Sequence, residues 1–228
     1  MIYLLAYPRS GSSYIRYTLG FLTGSQPLQP HGHCEIDHLL GQYYETEPMF
    51  TKFHHPTDGG VSIDKNENNT LILIYRNPIE NILSYMFSNN HIKKKGFTDE
   101  YMKNYINDSI NNPLLFNMYY NQFLENVTYY KNWEYNKKVF YYDNFLINPN
   151  EELIRVQDTF KFSNEKLDKF LTDIEHHKEL VLNHKMKKTD PFSVNTKGKV
   201  LDKFTNMLSD KNLKSIQNKL KSDGLYDL

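Results

Sequence analysis

The sequence predicts an α/β fold, a central parallel β-sheet flanked by helices on both faces. Three observations predict it. Leu71-Ile72-Leu73-Ile74-Tyr75 is a continuous, β-branched apolar run, the pattern of a strand buried on both sides. Ile2-Tyr3-Leu4-Leu5-Ala6 repeats that pattern at the N-terminus and leads through a Ser/Gly loop into a helix. Beyond them strands alternate with helical segments, the order that gives parallel strands joined by crossovers.

Each element has its own signal. Ile15, Leu19 and Leu22 share one face of the first helix, and Gly24 offers its stop. Gly24, Pro27, Pro30 and Gly32 punctuate a loop, and a short helical pattern runs from about Glu35 to Tyr44. Met49 to His54 reads as the second strand, closed by Pro56 and the turn Asp58-Gly59-Gly60. After the strand at 71–75, Pro78 suits a first helical turn, with Ile79, Ile82, Leu83 and Met86 along one side. Two helical segments follow, around 99–110 and 113–132; Leu115, Met118, Tyr119, Phe123 and Val127 make the core stripe of the second. Lys138 to Tyr142 is a further strand, and Pro149 opens a helix whose first turn holds Glu151 and Glu152, where the dipole favours them. Residues 163–188 read as a charged helix with His176, His177 and His184 solvated, and Thr189 to Thr205 as loop. Ser209-Asp210 starts a last helix that ends at Gly224. No repeat or linker interrupts the chain, so a single domain over residues 1–228 is expected.

Composition narrows the function. Hydrophobic residues make up 39% of the 228 and aromatics 14%, too apolar for a disordered chain. The 27 Lys+Arg balance 27 Asp+Glu, so no global field recruits nucleic acid or a membrane, and any anion site must be local. The single cysteine, Cys34, excludes an internal disulfide and suits a reducing compartment. With no span of ~18–20 apolar residues, a soluble, cytoplasmic protein is expected.

Four clusters stand at predicted strand ends, where open α/β sheets bind ligands. Tyr7-Pro8-Arg9-Ser10-Gly11-Ser12-Ser13-Tyr14 joins a strand to a helix start, so loop amides and the helix dipole meet at one spot suited to an anion. Arg9 adds positive charge, and Ser10, Ser12 and Ser13 add hydroxyl donors. The loop is not a Walker A motif, since the lysine and spacing of GxxxxGK[ST] are missing. On the second strand Lys52 and His54 point to one side, because the period is two; a cation thus stands beside a base of ordinary pKa near ~6.5. Arg76-Asn77-Pro78 follows the most buried strand, with Ser84 eight residues on, and offers a second anion site. Tyr142-Asp143-Asn144 and the basic Thr196-Lys197-Gly198-Lys199 complete the set, each weak alone.

In this order the clusters resemble the sulfotransferases that use 3′-phosphoadenosine 5′-phosphosulfate (PAPS). Residues 7–13 are similar to that family's 5′-phosphosulfate loop, and Lys52-x-His54-x-Pro56 to the strand bearing its catalytic base. Arg76 to Ser84 resembles its 3′-phosphate motif, with the spacing of eight kept. Tyr142-Asp143-Asn144 resembles its Tyr-Glu-Asp strand end, whose Tyr lies near the adenine, and Thr196-Lys197-Gly198 resembles its late Arg-Lys-Gly loop. The similarity runs from residue 3 to 226. Thr196 stands where the family has Arg, and Leu201 and Lys203 replace the Gly and Trp after its Lys-Gly, which weakens the late clamp unless Lys199 or Lys203 compensates.

The resemblance implies a P-loop-NTPase-like, three-layer sulfotransferase fold and the transfer of a sulfuryl group from PAPS to a hydroxyl or amine, releasing 3′-phosphoadenosine 5′-phosphate (PAP). It implies Arg9, Lys52 and His54 as catalytic residues. Arg9, Ser10, Gly11, Ser12, Ser13, Tyr14, Arg76, Ser84, Tyr142, Thr196, Lys197 and Gly198 would hold the nucleotide. No metal is required when side chains supply the cations. His31, His33, Cys34 and His38 lack a recognised ligand spacing. The acceptor is expected to be a small molecule or a carbohydrate, with no nucleic acid or membrane partner. Tyr43, Tyr44, Phe50, Phe53, Tyr85 and Phe87 either line its slot or belong to the core. Oligomeric state stays open. Two other readings share the scaffold: a small-molecule kinase, which should carry the Walker lysine, and a non-catalytic nucleotide-binding protein, which should have lost Lys52 or His54.

Overall fold

A computed structural model describes residues 1–28, 39, 49–90, 98–187 and 202–226. Apart from Leu39, the helix expected at 35–44 lies outside the described residues, as do Thr196, Lys197, Gly198 and the His31/His33/Cys34/His38 group.

Four parallel strands form the sheet: β1 (Ile2–Ala6), β2 (Phe50–Phe53), β5 (Thr70–Tyr75) and β6 (Lys137–Tyr141), in the order β2-β1-β5-β6. A two-residue hairpin, β3 (Thr57–Asp58) and β4 (Val61–Ser62), follows β2. It turns through Gly59 and Gly60, whose φ of 57° and 83° is the left-handed geometry a tight hairpin needs. Nine α-helices are described: α1 (Ser12–Thr23), α2 (Pro78–Asn90), α3 (Asp99–Ile110), α4 (Pro113–Lys131), α5 (Tyr142–Ile147), α6 (Pro149–Phe160), α7 (Asn164–Thr172), α8 (Ile174–Lys187) and α9 (Asp210–Ser222).

Alternation along β5 divides the interior. Leu71, Leu73 and Tyr75 join the core that includes residues of α2, α3, α4 and α9. Ile72 and Ile74 join the core that includes residues of α1, α5, α6, α7 and α8. The result is the expected three-layer α/β fold with a doubly covered sheet. Outside β2, Leu28 pairs with its edge: the Leu28 N–H donates to Phe50 O at 3.0 Å and the Lys52 N–H to Leu28 O at 2.9 Å. Arg16, fully buried on α1, donates to Pro27 O at 2.7 Å and so ties down this segment.

The structure departs from the pattern reading in places. Met118 is 47% exposed; the inner stripe of α4 is Phe116, Tyr119, Tyr120, Phe123, Val127 and Tyr130, which turns Met118 outward. Tyr142 is not the last residue of β6 but the first of α5. Phe50, Phe53 and Phe87 are core residues, at most 2% exposed. His177 is buried rather than solvated. Its ring stacks on Phe170 at 4.7 Å, meets Phe21 edge-on at 4.5 Å and shares a 2.7 Å hydrogen bond between Nδ1 and the Tyr17 hydroxyl. Burial pushes its pKa down to about 4. His177 and the buried Val181 stand four residues apart and form an inner face that the charged residues around them mask in the sequence.

Candidate active site

The parallel register brings the predicted clusters together. Leu5 pairs with Phe53, Ala6 with Ile74 and Tyr75 with Tyr141, so the strands end nearly level. The residues just beyond those ends are Tyr7, His54, Arg76 and Tyr142. The chain leaves β1 for β2 on one side and later adds β5 on the other, making the β1/β5 boundary the switch point at which such sheets bind ligands. The Arg76 guanidinium bridges it, donating to Arg9 O at 3.0 Å.

The loop after β1 opens on the N-terminus of α1. Thr98, Asn112, Asn148, Ser163 and Ser209 cap α3, α4, α6, α7 and α9 with side-chain oxygens. Gly11 stands at the cap of α1, with no side-chain hydrogen bond and no acidic residue in the first turn. That terminus therefore keeps its positive end for something else. Ser10 is fully buried, and its Oγ has no hydrogen-bond partner among the described residues. A buried donor without a partner is costly, and a bound phosphate oxygen would satisfy it. Arg9 and Gly11 both have positive φ, 69° and 82°. Gly11 has no alternative: a Cβ there would fall 2.1 Å from Tyr142 Cε2. Tyr142 thus covers the loop, 5.9 Å from the Arg76 guanidinium. Tyr14 packs on Phe145 at 5.3 Å, and both it and Tyr142 are 5% exposed.

Beyond β2, Lys52 Nζ contacts His54 Nε2. His54 Nδ1 lies 2.8 Å from Ala6 O. A carbonyl can only accept, so in the neutral ring Nδ1 carries the proton, and Nε2 presents a lone pair towards Lys52. Main-chain bonds hold the same residue: its N–H donates to Asp58 Oδ2 and its carbonyl accepts from Asn126 Nδ2, each at 2.9 Å. His55 faces away to Glu125, at 2.8 Å.

Arg76 follows β5 directly. Asn77 accepts from the Ile79 N–H at 3.0 Å and caps α2, with Pro78 as its first residue. Two carboxylates flank the guanidinium, Glu80 at 3.8 Å and Asp143 at 3.9 Å. Glu80 is fully buried and accepts from the Thr205 N–H at 2.6 Å, joining Arg76 to the segment that follows the basic loop. Asp143 accepts from the Asn77 N–H at 2.6 Å. Burial raises the pKa of both, opposed by these hydrogen bonds and by Arg76. Ser84 is buried two turns along α2.

The structure therefore gathers Arg9 to Tyr14, Lys52, His54, Arg76 and Tyr142 at one edge of the sheet, with Ser84 on the adjoining α2. Glu80, Asp58 and Asn126 were not singled out from sequence. Glu80 was legible as the acid four residues after Arg76 on a helix. Asn126 was legible only as a polar residue between Phe123 and Val127 on an inward stripe. Its Asn-x-Thr context looks like a glycosylation sequon, but its side chain is 1% exposed. Asp58 had only its turn position. Groups of three or more metal-ligating side chains do not occur among the described residues.

A parallel α/β sheet carrying cations, an imidazole and an open helix terminus at its carboxyl edge marks a protein that handles anionic groups. The chain belongs to the sulfotransferase domain family, whose model matches residues 36–223. Sulfuryl transfer is the activity that goes with this family. The match includes Lys52, His54, Arg76 and Tyr142 but begins after the loop at 7–14, so that loop is read from its geometry. A search of curated proteins gives no match.

Proposed function

We propose that the protein is a PAPS-dependent sulfotransferase acting on a hydroxyl or amine acceptor, with His54 as general base. The single observation that carries the proposal is the His54 tautomer: Nδ1–H is spent on Ala6 O, leaving Nε2 as the lone pair beside Lys52. PAPS, when bound, supplies the sulfuryl group on a phosphate leaving group. His54 Nε2 takes the proton as the acceptor oxygen attacks sulfur, a role worth ~10²–10⁴-fold in general. Lys52 neutralises the sulfuryl oxygens, and Arg9 the charge that appears on the departing 5′-phosphate as the bridging S–O bond breaks. Transfer of this kind needs positioning and positive charge more than covalent help. Ser10, Gly11, Ser12 and Ser13 hold the 5′-phosphate at the open end of α1. Arg76 and Ser84 hold the 3′-phosphate, joined by Thr196, Lys197 and Gly198, with Tyr14 and Tyr142 on the nucleotide side. The acceptor is a small molecule or a carbohydrate, and residues 1–228 act as one cytoplasmic domain. Tyr85, partly exposed and edge-on to Tyr7 at 5.3 Å, is the aromatic of that set, among the described residues, available to an acceptor.

Incubation with ³⁵S-labelled PAPS and a panel of phenols, sugars and amines, read by label transfer and mass gain, tests the reading. Transfer to at least one acceptor is expected. Label that stays on PAPS across the panel would count against it.

A further inference from the structure

His54 lies one residue beyond the last residue of β2, where side chains from other elements also reach its main chain. We infer that Asp58 and Asn126 are positioning residues that clamp the main chain of His54 and so set the tautomer of its imidazole. This rests on the reading of His54 as the base.

The geometry is two-sided. Asp58, in the hairpin after β2, accepts the His54 N–H, while Asn126, on α4, donates to its carbonyl, each bond 2.9 Å long. One clamp point is local and the other comes from a helix 72 residues away in sequence, so the ring is fixed relative to the helical layer as well as the sheet. Held in this way, Nδ1 reaches Ala6 O on the neighbouring strand. The neutral ring in free solution prefers its proton on Nε2, the nitrogen that must stay unprotonated to act as the base, so the arrangement has to be imposed. Asn126 also carries a structural penalty: it is 1% exposed, and its Oδ1 has no hydrogen-bond partner among the described residues. A core position between Phe123 and Val127 would be filled more economically by an apolar side chain. The donor to His54 is what the asparagine adds.

The experiment combines ¹⁵N NMR of the imidazole nitrogens, binding of PAP by calorimetry, and slow hydrolysis of PAPS with water as acceptor. In the wild type the His54 signal should be that of the Nδ1–H form. Asn126→Ala should shift it towards the Nε2–H form and lower hydrolysis at least tenfold, with PAP affinity within threefold. In a His54→Ala background, Asn126→Ala should change hydrolysis no further. Asp58→Asn keeps an acceptor for the His54 N–H and should preserve the signal, whereas Asp58→Ala should not; this pair decides the matter if Asn126→Ala fails to fold. Glu125→Ala, which removes the pairing with His55, is the control for damage to α4. An unchanged tautomer in Asn126→Ala and Asp58→Ala would overturn the clamp, as would equal Asn126→Ala losses with and without His54. If His54→Ala kept full hydrolysis, the base assignment would fall instead, and the tautomer signal alone would judge the clamp.

Discussion

At the scale of single residues, the site depends on atoms that nothing else can replace. His54→Ala should lower sulfuryl transfer by at least ~10²-fold while PAP binding stays within a few fold by calorimetry. Loss of binding together with activity would mean that His54 holds the nucleotide instead. Gly11→Ala meets two obstacles at once. A φ of 82° costs a non-glycine residue roughly 1–2 kcal/mol, and the new methyl would overlap the Tyr142 ring, adding overpacking of about 1–3 kcal/mol. A lowered melting temperature and lost PAP binding are expected; unchanged values for both would show that the loop is looser than described.

At the scale of elements, α2 and α8 make separate predictions. Arg76 heads α2 beside Glu80 and Asp143, and the proposal gives it the 3′-phosphate. Arg76→Ala should therefore weaken PAP far more than adenosine 5′-phosphosulfate, which lacks that group; equal losses would place Arg76 elsewhere. On α8, His177 has a pKa that falls from 6.5 to about 4. Below pH 6.5 the unfolded chain takes a proton that the fold refuses, so this contribution is full above 6.5 and is lost as pH falls towards 4. Glu80 and Asp143, with raised values, act in the opposite direction. Urea midpoints of the wild type should therefore drop more between pH 7 and 5 than those of His177→Phe, which keeps the stacking on Phe170. Parallel pH profiles for the two proteins would refute the assignment.

At the scale of the whole molecule, the sheet and its two helical layers were legible because periodicity survives without tertiary information. Leu71 to Tyr75 and Ile2 to Ala6 are buried runs in any context that hides both faces. The clusters at 7–14, 52–54 and 76–84 were legible because strand ends converge in a parallel sheet. Other features were not. His177 looks like its charged neighbours until Phe21 and Phe170 close over it, and the close approach of Tyr142 to Gly11 joins positions 131 apart in sequence. Neither leaves a local pattern. Binding of PAP at one composite site should raise the melting temperature without Mg²⁺, by the equivalent of ~2.7 kcal/mol at a hundredfold excess over Kd. Stabilisation by MgATP and not by PAP would favour a kinase.

The outer pairing of β2 has a consequence for chemical identity. Lys52 and His54 share a side only because the strand alternates, so a slip of one position would present Thr51 and Phe53 in their place, a hydroxyl and a phenyl ring. β1 guards against that slip from within, and Leu28 from without. The segment bearing Leu28 is in turn tethered by buried Arg16 through Pro27. A guanidinium on the first helix, acting through Pro27 and Leu28, thus helps decide whether this edge of the sheet is an acid–base centre or an inert one.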